Sequence, residues 1–599
     1  MQLGFYRSVI RYISRRALRV ILLGIFASSV ALFAFSQLLD LPIPRSVPAI
    51  YAVLATISVG GARFLLQLLF LHQQDQQKTR VIVYGAGESG RQLLNALQHG
   101  REYAPVALVD DSVALQGTDI GGYRVHSPNS LEQLVSNRKA QMILLAVPSA
   151  SRTARKAILE RLEPLPVHIQ TIPGIADLVS GDAQINEFRE VPIEDLLGRD
   201  PVPPRVELMD ANIREKAVLV TGAGGSIGSE LCRQIIQYRP AKVVLFDVSE
   251  IALYSIDMEL KALAAELNVE IIPVLGSIQD FSRVENTLTF FNIDTVYHAA
   301  AYKHVPLVEE NVIEGLRNNI FGTLNVARAA ASCGIENFIL ISTDKAVRPT
   351  NIMGASKRMA ELICQALAER TQTRFSMVRF GNVLGSSGSV IPRFRQQIEA
   401  GGPITVTHPE ITRYFMTIHE AAQLVIQAGA MAKGGDVFVL DMGEPVRIVD
   451  LAKRMVKLSG LTPYFPNSAD KDAGGDIPIV FTGLRHGEKL YEELLIDNTT
   501  TRTDHPRILT AKERSMSWPD LQRLLDQLSA RFADNDINSI RAILRSAPTG
   551  YAPSSDIADV LWSKDLLKPA QDQDITVESV SLKGGISSVP LAAPLQAKN

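Results

Sequence analysis

The chain has 599 residues, of which 46% are hydrophobic and 21% charged, and its formal net charge is −2. This length exceeds what one hydrophobic core supports, so we expect roughly three or four domains, one of them with an apolar excess. The small net charge gives no sign of a nucleic-acid partner. Cys232, Cys333 and Cys364 have no metal-ligand spacing, so we expect reduced thiols in a cytosolic compartment and no metal site.

Two long apolar segments begin the chain. Residues 20–39 carry no charge, and Arg63 alone interrupts residues 47–71. Each segment is long enough to cross a bilayer core of about 30 Å, so residues 1–74 are predicted to be a membrane anchor of two helices in contact with lipid. A cleaved signal peptide is the alternative for the first segment, but a second apolar segment follows it. Cationic flanks on both sides of the hairpin predict that both ends face the cytoplasm.

Residues 75–204 are predicted to form a first Rossmann-like domain. Residues 80–90 give a strand, a glycine turn and a helix, and Asp110 ends the next strand where an acid that binds ribose would lie. The signal is weak. A domain that has kept its turn without a ligand is at least as good an interpretation as an occupied site.

Residues 205–510 are predicted to form a second doubly wound α/β domain, which binds a dinucleotide. Gly222, Gly225 and Gly228 follow a strand and precede a helix, and Asp247 ends the next strand nineteen residues later. The glycines expose backbone amides to a pyrophosphate, and a carboxylate at the ribose repels a 2′-phosphate, which favours NAD over NADP. Further cofactor contacts are expected at Ser226, Ile227, Asp280, Ala299, Ala300 and Lys357.

Reactive side chains follow two later strands of this domain. A strand ending at His298 leads into small residues and then Lys303 and His304, which lie near a substrate cleft or in a solvated loop. A buried strand, residues 337–341, is followed by Thr343, Asp344 and Lys345. Polar reactive groups at such a strand end rarely serve packing alone.

The Gly-x-x-Gly-x-x-Gly turn, His-Ala-Ala-Ala at 298–301 and Lys357 together resemble the extended short-chain dehydrogenase/reductase superfamily. Thr343 fits that pattern, but Met353 occupies the place of the tyrosine base, and a thioether cannot take a hydroxyl proton. The Thr-Asp-Lys triplet, Met353 and residues 413–417 and 483–493 are similar to the membrane-bound UDP-N-acetylglucosamine 4,6-dehydratases. These bacterial inner-membrane enzymes supply 6-deoxy amino sugars for surface polysaccharide or glycoprotein.

The resemblance implies a reaction in which a hydride passes from C4 of the sugar to NAD and back to C6. Thr343, or water relayed to Lys357, takes the proton of the C4 hydroxyl. Lys345 as a neutral amine removes the C5 proton, and Asp344 as a carboxylic acid protonates the departing C6 hydroxyl. Lys345 then needs a pKa below its reference of about 10.4, and we expect the oxidised nicotinamide and Lys357 to lower it. The alternative is that Asp344 and Lys345 form only an ion pair on a loop.

The resemblance also implies the substrate contacts. It assigns a diphosphate contact to Asn382 and a hydroxyl contact to Glu488. It assigns diphosphate or uracil-ribose contacts to Arg393, Arg413 and Arg485, since guanidinium groups suit phosphate; a surface ion pair is the alternative for each arginine taken singly. Two features depart from the family: one membrane hairpin is visible where two are usual, and His486 stands where proline is more frequent. Retention of configuration at C5 is favoured, and we expect a homo-oligomer.

Residues 511–599 are predicted to be two ordinary amphipathic helices, 518–532 and 537–544, followed by a disordered end from 568 onward. Two other functions are considered. A UDP-hexose 4-epimerase needs a tyrosine at position 353, which is Met353 here. A non-catalytic, membrane-tethered dinucleotide sensor or scaffold predicts NAD binding without turnover.

Overall fold

A computed structural model describes residues 15–39, 44, 46–61, 78–100, 102–173, 188–386, 388–466, 474–493 and 500–562. Helices α1 (Arg15–Leu38) and α2 (Val47–Ala55) pack against each other, and a π-helical turn extends α2 to Gly61. Within the described residues, no helix combines the length and the apolar character needed to cross a membrane. The second predicted span continues into residues 62–71, outside the described part, so the membrane anchor stays a prediction.

The first α/β domain is built on a seven-stranded sheet in the order β3-β4-β2-β1-β5-β6-β7. All neighbours are parallel except at the edges, where β3 and β7 run antiparallel. Its strands are β1 (Thr79–Tyr84), β2 (Tyr103–Val109), β3 (Asp119–Ile120), β4 (Tyr123–His126), β5 (Met142–Leu145), β6 (His168–Thr171) and β7 (Arg189–Glu190). Its helices are α3 (Glu88–His99), α4 (Leu131–Arg138), α5 (Arg152–Leu162) and α6 (Ile193–Leu197).

The predicted glycine turn of this first domain is present. A Cβ on Gly90 would lie 1.8 Å from Gly85 O, so the helix packs directly on the turn. The Asp110 carboxylate accepts hydrogen bonds from the backbone N–H groups of Ala86, at 2.6 Å, and Ser112, at 2.8 Å. These contacts give the glycines and Asp110 a role in the local structure of the turn, so they do not identify a ligand of this domain.

The second domain is built on a nine-stranded sheet in the order β10-β9-β8-β11-β12-β13-β18-β23-β22. The first seven strands in this order are parallel, and β23 and β22 continue antiparallel. Its strands are β8 (Ala217–Thr221), β9 (Lys242–Asp247), β10 (Glu270–Leu275), β11 (Thr295–His298), β12 (Asn337–Ile341), β13 (Arg374–Arg379), β18 (Asp436–Leu440), β22 (Thr500–Arg502) and β23 (Ile508–Ala511). The strand order reverses between β8 and β11, and ligands of such sheets bind at the carboxyl ends beside this switch point.

Helices cover both faces of this sheet. They are α7 (Val206–Asp210), α8 (Ser226–Gln237), α9 (Glu250–Leu267), α10 (Phe281–Phe290), α11 (Val305–Glu310), α12 (Val312–Leu316), α13 (Thr323–Ser332), α14 (Ile352–Ala368) and α16 (Ile418–Ala430). The central strands of the parallel part, such as β8 and β12, are apolar runs buried on both faces. This pattern is typical of a sheet between two helical layers.

The predicted C-terminal helices are α18 (Trp518–Ala533) and α19 (Ile537–Ser546), and they belong to the core of the second domain. Helix α18 packs against α14, which is buried along nearly its entire length, and α19 packs against α18. Their amphipathic pattern was predictable, but the partner of their apolar face was not. The predicted disordered end lies outside the described residues.

A smaller lobe joins the two domains. It contains α15 (Val390–Glu399), α17 (Ile448–Leu458), β14 (Asn382–Val383), β15 (Ile404–Val406), β16 (Thr412–Arg413), β17 (Phe415–Met416), β19 (Val446–Arg447), β20 (Pro463–Tyr464) and β21 (Ile477–Phe481). This lobe shares one hydrophobic core with the first domain. An ion pair of Lys457 with Glu163, at 3.1 Å, reinforces this contact, and an ion pair of Arg199 with Glu420 on α16, at 2.9 Å, joins the first domain to the second.

Candidate active site

A cavity of about 850 Å³ opens at the carboxyl ends of β8, β11 and β12. It brings together most of the predicted site residues: Gly222, Gly225, Ser226, Ile227, Gly228, Ala299, Lys303, His304, Thr343, Lys345, Lys357, Asn382, Arg393, Arg413, Arg485 and Glu488. Four predicted residues, Asp247, Asp280, Ala300 and Asp344, are absent from the cavity wall formed by the described residues.

The glycine turn between β8 and α8 has the close contacts that its sequence predicts. Gly222 has a φ of +67°, and a Cβ there would lie 2.7 Å from Ala300 N. A Cβ on Gly228 would lie 2.0 Å from Gly222 O. Larger residues at either position would push the helix or the neighbouring strand away, so the turn leaves bare backbone amides at the start of α8.

The two acids predicted to bind the cofactor make backbone contacts. Asp247 is nearly buried, and its carboxylate accepts hydrogen bonds from Gly224 N, at 2.9 Å, and Ser249 N, at 2.8 Å. It therefore fixes the glycine turn, and a ribose contact remains a prediction. Asp280 is exposed and caps the N-terminus of α10 by accepting from Arg283 N at 3.0 Å.

The Thr-Asp-Lys triplet forms a short 3₁₀ turn directly after β12. Asp344 is 1% exposed, and its Oδ1 accepts hydrogen bonds from Thr343 Oγ1, at 2.9 Å, and from Lys345 Nζ, at 3.1 Å. The other oxygen of Asp344, Oδ2, is buried without a hydrogen-bond partner among the described residues. Lys345 Nζ also donates to Asn382 Oδ1 at 3.3 Å. The acid and the amine therefore form an ion pair in which Lys345 lines the cavity and Asp344 is buried behind it.

The environment of Lys345 corrects the predicted charge state of its amine. Burial alone would lower its pKa, but the carboxylates of Asp344 and Glu492 outweigh burial and the opposing charge of Arg413, and the pKa is raised. The expected lowering is therefore wrong for the protein by itself, because two negative charges lie beside the amine. Glu492, at 3.4 Å from Lys345 Nζ, is a member of this site that the sequence analysis missed.

Lys357 has the lowered pKa that was expected of Lys345. It is 6% exposed on the cavity wall, and burial lowers its pKa to about 8 even though Glu361 acts in the opposite direction. Met353, one helical turn earlier, also lines the cavity and is buried. A lysine with this pKa can accept or release a proton near neutral pH.

Behind the cavity wall lies a buried ionic network that the sequence did not reveal. Glu361 on α14 accepts hydrogen bonds from Arg379 on β13, at 2.6 and 2.7 Å, from Arg358, at 2.9 Å, and from Ser342 Oγ, at 2.6 Å. Arg379 also pairs with Glu513 at 2.5 Å. The network joins the end of β12 to the helix that carries Lys357.

The predicted substrate residues differ in what they offer to a ligand. The guanidinium of Arg413 donates to the carbonyl oxygens of Thr412, Lys489 and Leu490 and to Glu488 Oε1. It therefore holds the segment that contains Glu488, and a phosphate contact remains a prediction.

The side chains of Arg393 and Arg485 are exposed at the cavity and make no side-chain hydrogen bond or ion pair within the described residues. Burial lowers the pKa of Lys303, and burial with the charge of Lys303 lowers that of His304.

Residues 218–513 match the model of the family described as "Polysaccharide biosynthesis protein", and residues 2–173 match a model described as "CoA-binding domain". A solved structure of DesIV, a dTDP-glucose 4,6-dehydratase from Streptomyces venezuelae with NAD and TYD bound, is 20% identical. That alignment covers 46% of this chain and 88% of that chain, with a TM-score of 0.39.

Three curated relatives are similar over a large part of their own length. The capsular polysaccharide biosynthesis protein CapD of Staphylococcus aureus is 44% identical over 74% of this chain and 73% of the relative. The probable polysaccharide biosynthesis protein EpsC of Bacillus subtilis is 43% identical over 79% of this chain and 78% of the relative. A UDP-glucose 4-epimerase of Rickettsia bellii is 34% identical over 47% of this chain and 78% of the relative. The chain therefore belongs to the family of polysaccharide biosynthesis proteins.

Proposed function

We propose that the chain is an NAD-dependent dehydratase that converts UDP-N-acetylglucosamine to the UDP-4-keto-6-deoxy sugar for surface polysaccharide synthesis. The observation that carries the proposal is the ion pair of Asp344 and Lys345 after β12, in which Lys345 lines the same cavity as a dinucleotide-type glycine turn. An epimerase has no use for this pair. The uridine diphosphate is supported by a relative that is named as acting on a UDP-sugar, and the acetamido sugar by the motif resemblance.

The residues of the glycine turn fit a dinucleotide. Bare amides lie at the start of α8, and a Cβ at Gly222 or Gly228 would occupy the space of the turn itself. When bound, NAD would supply hydride acceptance from C4 and hydride return to C6. Asp247 holds the turn and places a negative charge at the end of β9, where a 2′-phosphate would be repelled.

The ion pair of Asp344 and Lys345 is the resting form of the acid–base pair. Transfer of one proton from Lys345 Nζ to Asp344 Oδ1, which are 3.1 Å apart, gives a carboxylic acid and a neutral amine without a change in net charge. Lys345 then takes the C5 proton while Asp344 gives its proton to the C6 hydroxyl, which leaves as water. These two transfers regenerate the carboxylate and the ammonium, so the pair ends each turnover as the ion pair.

The proton of the C4 hydroxyl needs a separate acceptor. Thr343 Oγ1 already donates a hydrogen bond to Asp344 Oδ1. Lys357, in contrast, has a pKa of about 8 and is neutral in part at physiological pH. Lys357, directly or through water and Thr343, is therefore the acceptor that the electrostatics favour. Met353 contributes no proton and closes the cavity wall.

Product analysis tests the proposal. The purified protein is incubated with UDP-N-acetylglucosamine and NAD, and the product is examined by mass spectrometry and NMR. Loss of one water with a 4-keto-6-deoxy sugar supports the dehydratase, and retention at C5 is expected. An epimer of unchanged mass supports the epimerase. NAD binding without turnover supports the sensor or scaffold. Asp344→Asn and Lys345→Ala should each abolish product while NAD still binds, and normal turnover in either refutes the assignment.

The membrane anchor, the cytoplasmic orientation at a bacterial inner membrane and the homo-oligomer are proposals from the sequence. Residues 20–39 and 47–71 are long apolar segments with cationic flanks. Fractionation of cells that express the full chain tests the anchor, and recovery in the soluble fraction would refute it. Light scattering of the purified protein tests the oligomer.

A further inference from the structure

Glu492 is a buried carboxylate beside the acid–base pair. Its side chain is 2% exposed, and its Oε1 lies 3.4 Å from Lys345 Nζ and 3.8 Å from Arg413 Nε. We propose that Glu492 is a positioning residue for the dehydration step, which fixes Lys345 Nζ opposite Asp344. This inference rests on the function proposed above.

A purely structural role explains the position of Glu492 poorly, because other contacts already attach its segment to the catalytic turn. Asn351 Nδ2 donates to Gly487 O at 2.9 Å, and Lys489 Nζ donates to Val347 O at 2.9 Å. Arg413 donates to the backbone of the same segment. The charge of Glu492 is therefore not required to hold residues 487–492 in place.

Glu492 also destabilises the fold, which a role in packing alone does not explain. Its Oε2 is buried without a hydrogen-bond partner among the described residues. A buried polar atom without a partner destabilises a fold by about 1–3 kcal/mol, and more when the group is charged. Since a glutamine or an apolar residue would fill the same space, we attribute the carboxylate to its effect on Lys345.

Glu492 is one of two carboxylates that face Lys345 Nζ. Asp344 faces the amine from its own turn, Glu492 from residues 487–492, and the neutral amide of Asn382 from β14. The cation Arg413, on β16, lies beside Glu492 and also pairs with Glu488 at 3.2 Å. Replacing Glu492 by glutamine removes the second of the two charged contacts that hold Nζ, and a small displacement of a proton acceptor slows the step that uses it.

Kinetics of Glu492→Gln test the inference, with Glu493→Gln as the matched control. Glu493 is the next residue, but it makes a partly exposed ion pair with Arg348, a kind of contact that contributes little. We expect Glu492→Gln to lower kcat for dehydration roughly tenfold to a hundredfold, with KM nearly unchanged and the reduced cofactor accumulating, because oxidation at C4 does not use Lys345. Unchanged kcat, or an equal loss in C4 oxidation and dehydration, would overturn the inference.

A second measurement needs no turnover. Acylation of Lys345 by an amine-reactive reagent is followed against pH by peptide mass spectrometry in the full chain. The onset should move to lower pH in Glu492→Gln and stay in place in Glu493→Gln, since only the former removes a charge beside the amine. An unmoved onset overturns the inference. If the wild type does not dehydrate the sugar, the proposed function fails, while this measurement still decides whether Glu492 controls Lys345.

Discussion

Glu361→Gln tests the buried network that supports Lys357. Glu361 is fully buried, and Arg379, Arg358 and Ser342 donate four hydrogen bonds to its carboxylate at 2.6–2.9 Å. Burial alone would raise its pKa, but the two guanidinium groups hold it at about 2. Glutamine keeps the shape of the side chain and removes its charge, so the change isolates the electrostatic contribution.

The expected loss follows from the charges that remain. With glutamine at 361, Arg358 and Arg379 share the single carboxylate of Glu513, and one buried positive charge has no counter-charge. Removing one partner of a buried pair typically costs about 3–5 kcal/mol. For a domain of this size that corresponds to a midpoint of thermal unfolding lower by roughly 4–8 °C.

Thermal unfolding of the full chain at neutral pH, followed by circular dichroism, measures this loss. Glu369→Gln, at the exposed end of the same helix, is the control and should change the midpoint little. The stabilisation by Glu361 is complete above the ordinary glutamate pKa of 4.5 and disappears as the pH falls toward about 2, so the two proteins should converge in acid. A loss below about 1 kcal/mol at neutral pH would refute the reasoning, because an unpaired buried charge costs more.

Three further predictions concern the surroundings of the catalytic turn. Gly487→Ala should lower kcat and destabilise the protein by roughly 1–3 kcal/mol. The reason is that Gly487 has a φ of +72° and that a Cβ there would lie 2.7 Å from Asn351 Cβ. A kcat and a midpoint of thermal unfolding equal to those of the wild type would contradict this prediction. If neutral Lys357 accepts the C4 proton, kcat/KM should fall as the pH drops below about 8 and level off above it. Lys357→Arg should then be inactive at every pH, and an active arginine variant would exclude the acceptor role. Arg541→Ala should destabilise the domain by about 2–4 kcal/mol. Arg541 lies 3.6 Å from the buried Glu309, whose carboxylate accepts a hydrogen bond from the first backbone N–H of α14. Unfolding measurements that show no loss of stability would contradict this prediction.

The features that the sequence predicted correctly depend on local spacing. Three glycines at intervals of three residues require one turn geometry, and the contacts of Gly222 and Gly228 confirm it. The strand that ends before Thr343 is an apolar run, and it forms a central strand of the sheet. Each of these signals is contained in a short stretch of sequence, so no knowledge of the tertiary structure was needed.

Glu492 was missed because its role arises from a contact between distant segments. Glu488, Glu492 and Glu493 occur within six residues, and nothing in the local pattern distinguishes the one that meets Lys345 from the one that pairs at the surface. The burial of α14 was missed for a related reason. One of its faces packs against α18, which follows more than 100 residues later in the chain.

The two lysines of the cavity differ in the direction of their pKa shifts, so the residue type alone does not determine whether a side chain holds or accepts a proton. Carboxylates on both sides raise the pKa of Lys345, whereas burial lowers that of Lys357 even though Glu361 acts in the opposite direction. Environments that push the pKa values of like groups apart separate the acid from the base within one site. In the mechanism that we propose, Lys345 holds a proton for Asp344, and Lys357 is the acceptor for the proton of the C4 hydroxyl. Oxidation at C4 would then use Lys357 first, and elimination would follow the proton transfer between Lys345 and Asp344.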